Sequence, residues 1–192
     1  LINGAEDMQG SGCGAGGAFN NANGSRNHAC LNVPNVHEGW GRVNLTKSVY
    51  PCGTKQCMII QTGQIPKTGP AISIPVRLSK DQRLEATLTW LEPSTNGFTQ
   101  NNMFLRLTKG SEYYLSNRFG YTLAGGGATG NTIKGGAMDA LLARENVHKI
   151  IIKNTNNLVE GFYELNITPN IAAGVADANV RYSLVFYGQL GV

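Results

Sequence analysis

Charge is scarce in this sequence. Asp, Glu, Lys and Arg together make up 15% of 192 residues, against roughly a quarter in ordinary soluble domains. A chain kept disordered by charge is therefore excluded, and so is a coiled coil with its charged flanks. Long apolar runs are missing too: stretches such as 150–152 and 183–187 are far shorter than the roughly 18 residues that a membrane-crossing helix needs, so no membrane span is expected. No initiator Met, basic leader or apolar leader core opens the chain at Leu1-Ile2-Asn3-Gly4. A signal peptide, if one exists, is then expected to lie outside this sequence, and the chain reads as an excised piece of something longer. The 16 basic residues outnumber the 12 acidic ones, for a net charge of +4, but they are scattered singly. A groove that tracks a phosphate backbone needs a concentrated stripe, so nucleic acid is not an expected partner.

Glycine, by contrast, is abundant, at 25 residues, and much of it lies early. Residues 9–30 combine Gly10, Gly12, Gly14, Gly16, Gly17 and Gly24 with Asn20, Asn21, Asn23 and Asn27, a composition that cannot offset the entropy of regular structure. This stretch reads as a long surface insertion. The four cysteines form two local pairs, Cys13 with Cys30 and Cys52 with Cys57, and two disulfides are expected from them. The first would close the neck of the insertion. Three N-x-S/T sequons, at Asn23, Asn44 and Asn166, are candidate N-glycosylation sites. With the cysteines they favour a secreted, oxidising setting. In Gly39–Val49, Val43, Leu45 and Val49 are apolar and Asn44 is placed to cap a short helix. Residues 1–50 still hold too few large apolar side chains for a core of their own. They are expected to lean on another body.

From about residue 58 the period changes to two. Ile72, Ile74, Val76 and Leu78 alternate with Ser73, Pro75 and Arg77, and Leu84, Ala86, Leu88 and Trp90 with Glu85, Thr87 and Thr89, the pattern of half-buried strands. Segments 103–107, 113–115, 147–152, 162–167 and 182–187 continue it, divided by turn signals such as Lys109-Gly110 and Glu160-Gly161. Seven or eight short strands with no long amphipathic helix between them predict an all-β fold, a jelly-roll-like antiparallel β-sandwich over residues 55–192, preceded by a mostly irregular N-terminal arm over 1–54. Trp90 is expected to plug one end of the core. Only Met138–Arg144 looks helical, and the Gly-rich stretch before it, Leu123–Gly136, reads as a mobile insertion.

Motifs for chemistry are thin. His28, His37 and His148 have no partners at ligand spacing, and Cys52 and Cys57 have no second pair to make a zinc ribbon; the histidines read as structural or solvated. Gly12-Cys13-Gly14-Ala15-Gly16-Gly17 fits G-x-G-x-x-G, but that fingerprint has meaning only between a strand and a helix. Here it falls in an Asn-rich loop and is a chance match. Tyr113, Tyr114, Phe119 and Tyr121 read as core and edge cover rather than as a sugar platform.

Two segments carry a resemblance. Leu1-Ile2-Asn3-Gly4-Ala5 followed by Pro34-Asn35-Val36-His37-Glu38-Gly39-Trp40-Gly41-Arg42-Val43-Asn44-Leu45 resembles the end of the catalytic domain of subtilisin-like serine proteases. The later pieces LEATLTWLEP (84–93), NNMFLRL (101–107), Ser116-Asn117, Glu145-Asn146-Val147, GFYELNI (161–167) and YSLVF (182–186) are similar, in order and spacing, to the β-jelly-roll C-terminal domain of a secreted branch of that family. The resemblance implies a C-terminal accessory domain that stabilises its enzyme or orients its substrates, with the protease catalytic domain of the same parent chain as partner. Trp40, Arg42, Val43 and Leu45 would pack against that body, and without it the arm would favour self-association. The family's Asp, His and Ser lie N-terminal to the position matching Leu1, so no catalytic residue is expected here. Related domains bind calcium through an N-D-L-D-L-like segment. The matching stretch here is Asn102-Met103-Phe104-Leu105, which lacks the hard carboxylate ligands, so the site is expected to be degraded and no cofactor is assigned. The competing reading is a non-enzymatic extracellular β-domain, a filament or surface-layer subunit, whose arm would add a strand to a neighbour's sheet.

Overall fold

In the computed structural model the residues described are 1–5, 39–49, 57–66, 68–78, 83–91, 101–119, 132–135, 145–152, 160–171 and 179–190. The chain divides into two compact units, Leu1–Tyr50 with Gly120–Gly130, and Pro51–Phe119 with Asn131–Val192.

The larger unit is built of strands: β1 Cys57–Pro66, β2 Ile72–Leu78, β3 Leu84–Trp90, β4 Asn101–Lys109, β5 Glu112–Phe119, β6 Thr132–Lys134, β7 Val147–Ile152, β8 Gly161–Ile171 and β9 Asn179–Leu190. All are paired antiparallel. The pairs nest, β4 with β5, β3 with β7, β2 with β8 and β1 with β9, like one long hairpin rolled up on itself. Lateral pairing of β3 with β9 and of β4 with β8 then makes two sheets, β1-β9-β3-β7 and β5-β4-β8-β2, with the short β6 beyond β5. This is the jelly-roll form of an all-β sandwich. At one corner the end of β9 also pairs with β2, at Val76–Leu190 and Arg77–Gln189, and ties the sheets together.

Period-two alternation sets the core. Ile74, Val76 and Leu78 of β2, Met103, Leu105 and Leu107 of β4, and Tyr163, Leu165 and Ile167 of β8 are buried, as are Leu84, Ala86, Leu88 and Trp90 of β3 and Leu184 and Phe186 of β9. Trp90 closes one end of this core, on the same side of its strand as Leu84.

Three features depart from the sequence reading. β3 is not half-buried: Glu85 and Thr87, on its other side, are buried as well, with Lys149 and Ile151 of β7. Arg83 accounts for part of this, since its guanidinium reaches Glu85 Oε2 at 3.0 Å and lies over the Tyr187 ring. β6 falls inside the stretch expected to be a mobile insertion; its Thr132 hydroxyl accepts the backbone N–H of Ile151 at 2.9 Å, a bond that glycine counting does not reveal. β1 is a full strand although its sequence has little alternation. The helix expected at Met138–Arg144 lies outside the described residues. Among those described, no helix is long and apolar enough to cross a membrane.

Candidate functional site

In the smaller unit the two flanks of the Gly/Asn-rich insertion come together. Ile2–Gly4 forms a 3-10 turn and Leu45–Ser48 a single helical turn, α1. Asn44 caps α1: its side-chain oxygen accepts the Lys47 N–H at 3.0 Å, while the Ser48 hydroxyl donates to the Asn44 carbonyl at 2.7 Å. Gly4 lies so close to α1 that a Cβ there would stand 2.6 Å from Ser48 Oγ and 2.8 Å from the Lys47 carbonyl carbon. Gly39 and Gly41 both take positive φ, +56° and +98°, a conformation that glycine adopts without steric penalty. They bracket a half-buried Trp40, and Arg42 beside it is exposed. This small structure leaves apolar side chains in water: Leu1 is 74% exposed, Val43 53%, Leu45 67% and Val49 72%. Of the residues expected to pack on another body, Val43 and Leu45 are therefore open and Trp40 is half covered.

A polar cluster crosses the interior of the larger unit. Ser116 of β5 and His148 of β7 face each other from opposite sheets, with Ser116 Oγ and His148 Nδ1 2.8 Å apart. The Trp90 and Phe104 rings lie 5.2 and 6.4 Å from the imidazole, centroid to centroid. Next to Ser116, Asn117 holds φ at +57° and aims its side chain along the rim of β7. Its Nδ2 donates to the Val147 carbonyl at 2.8 Å and to Glu145 Oε2 at 3.2 Å, and its Oδ1 accepts the Lys149 N–H at 2.7 Å. Asn146 brackets the end of β3 in the same way, with Nδ2 on the Trp90 carbonyl at 3.2 Å and its own carbonyl accepting the Trp90 N–H at 3.3 Å. The short segments Ser116-Asn117 and Glu145-Asn146-Val147, far apart in sequence, thus meet as a clasp between the sheets.

This serine–histidine pair is not a nucleophile and its base. Both residues are buried in the core, and a nucleophile has to meet its substrate. The assigned role is structural: a buried polar link, through Nδ1 of the imidazole, that fixes one sheet against the other. Sequence reasoning placed His148 among structural histidines but did not find its serine, since nothing in local spacing relates residues 116 and 148.

An open groove of about 580 Å³ lies at one end of β1, β9 and β3, lined among others by Gly63, Gln64, Trp90, Leu91 and Arg181. Trp90 and Tyr182 close its inner wall with their bodies buried, so they offer no free ring face to a sugar. Gly63 sits under Tyr182, where a Cβ would stand 2.9 Å from the phenol oxygen. Among the described residues no three His, Cys, Asp or Glu side chains gather as metal ligands. Asn102 lies in β4, opposite Asn170.

The candidate modification sites differ. Asn44 uses its amide oxygen for the cap and leaves the nitrogen, the atom a glycan takes. Asn166 uses its nitrogen twice, on Thr108 Oγ1 at 3.0 Å and on the Glu164 carbonyl at 3.2 Å, in the middle of β8. Cys57 is disulfide-bonded. Cys13, Cys30 and Cys52, with Asn23, His28, His37 and the G-x-G-x-x-G segment, lie outside the described residues, so the expected pairings stand as expectations. A scan against family models finds no match, and no curated protein matches the chain.

Proposed function

We propose that the chain is the C-terminal accessory part of a secreted subtilisin-like serine endopeptidase, a jelly roll that stabilises or orients a catalytic body supplied by the parent chain. The observation that carries this reading is the apolar surface at Leu1, Val43, Leu45 and Val49, formed where the two segments that resemble the end of such a catalytic domain pack together. Side chains of this kind gain about 25 cal/mol per Å² on burial, so a surface that collects four of them is stabilised by covering it. The jelly roll of the larger unit agrees with the order of the later segments. No nucleophile is expected from the chain itself, and the serine–histidine pair of Ser116 and His148 is sealed between the sheets.

The test has two arms. The reading frame immediately upstream of Leu1 should encode a serine nucleophile segment, and the peptidase expressed from it with Leu45→Lys and Val49→Lys should lose activity faster on heating than the unmodified enzyme. The chain alone should turn over neither casein nor a fluorogenic peptide. An upstream frame without such a segment, or inhibitor-sensitive turnover by the chain alone, overturns the proposal.

A further inference from the structure

β1 pairs with β9 along its whole length, yet among the described residues no strand lies on its other side. The opposite rim of the same sheet is closed differently. On β7 the outward backbone groups of Val147, Lys149 and Ile151 are taken by the side chains of Asn117 and Thr132. Natural sheet edges are otherwise blunted by charge, bulges, prolines or short length. β1 has none of these along Cys57-Met58-Ile59-Ile60-Gln61-Thr62-Gly63-Gln64-Ile65: it carries no charged side chain, its only proline is the final residue, Pro66, and its register against β9 is unbroken. The core beneath it is also incomplete. Ile59 and Gln61 face inward opposite Phe186 and Leu184, but both are only half-buried where their β9 neighbours are fully covered. On the outer side Ile60 is 65% exposed.

We propose that the open edge of β1 is a self-association surface, on which a second copy of this chain lays its own β1 antiparallel and joins the two four-stranded sheets into one. A copy fits because the strand is self-complementary. Facing residues in a continuous sheet point to the same side, so the two-fold axis passes through a residue; centred on Gln61, it pairs residues 57–65 and sets Ile60 opposite Thr62, diagonal to the other Ile60. An uncharged strand meets its own copy without like-charge repulsion and offers nothing to select a charged foreign strand. Ile59 of each copy covers the half-open rim of the other's core, and the two Ile60 side chains approach each other across the axis on the outer face. This inference does not rest on the protease reading.

Sedimentation velocity on the full chain at about 100 µM, a concentration suited to a small interface, should show a dimer. Ile60→Lys and Ile60→Glu, both at an exposed position that leaves the fold intact, should each weaken it by at least about tenfold, and an equimolar mixture of the two should restore it. A monomeric wild type, a dimer indifferent to Ile60→Lys, a mixture that stays monomeric, or a dimer lost instead on Leu45→Lys each overturns the proposal. The last would place association on the apolar surface of the smaller unit, and none of the four touches the peptidase test.

Discussion

Asn117 is the residue on which the join between the sheets turns. Its φ of +57° is a region that residues other than glycine enter at a cost of about 1–3 kcal/mol, held here by three hydrogen bonds to the rim around β7. Asn117→Ala keeps the strain and loses the bonds, leaving the Lys149 N–H without that acceptor. Its expected cost in urea unfolding is about 3 kcal/mol. Asn117→Gly loses the same bonds but relieves the backbone, so it should cost measurably less. An Ala variant as stable as the wild type would show that the side chain holds nothing. None of this was legible beforehand: Ser116-Asn117 and Glu145-Asn146-Val147 could be picked out in the sequence, but their meeting depends on β5 and β7 lying in different sheets at the same end of the sandwich. The cap at Asn44, by contrast, was readable, because its donor is three residues away.

At the scale of the strands, alternation was a sufficient guide wherever one face is dry and the other wet. β2, β4, β8 and β9 follow it residue by residue. It failed at β1, whose open edge leaves even inward side chains half-covered, and at β3, which is covered on both sides at Glu85 and Thr87. Three inward tyrosines, on three different strands, give the elements a common signature at high pH. Burial pushes the Tyr163 phenol up to about 12. Tyr182 is raised by burial, with a hydrogen bond to Gln61 opposing. Tyr114 is raised by burial and by the Glu112 carboxylate, against Lys134, which is paired with that carboxylate. A raised phenol contributes stability that is whole below pH 10, the unfolded value, and is lost as pH climbs through the native one. Melting temperature should therefore fall above pH 10, and an absorbance titration at alkaline pH should show these tyrosines ionising late, in step with unfolding. Complete titration of all seven tyrosines near pH 10 with the fold intact would contradict their burial.

For the whole molecule, the sequence was sufficient for an all-β sandwich, and the nested pairs add its winding. The resemblance singled out Val43 and Leu45 as outward-facing, and both are exposed; what the sequence could not supply was the exposure of Ile60, which reads like any other strand residue until the edge position of β1 is known. The nesting also sets a timetable. β1 finds its only described neighbour in β9, and β3 finds one of its two there, so the first strand waits for the last. Refolding of the full chain should accordingly be slow, in the millisecond-to-second range of folds dominated by distant contacts, and stopped-flow fluorescence would check it; completion within microseconds would argue against the strand order. On the ribosome, at roughly 5–20 residues per second, the interval between the emergence of Cys57 and of Asn179 lasts about 6–24 s. Throughout it both sides of β1, a strand with no charged side chain, are open. Whatever makes this protein in quantity must shelter nascent residues 57–66 for that long, or accept that some copies meet each other before they are finished.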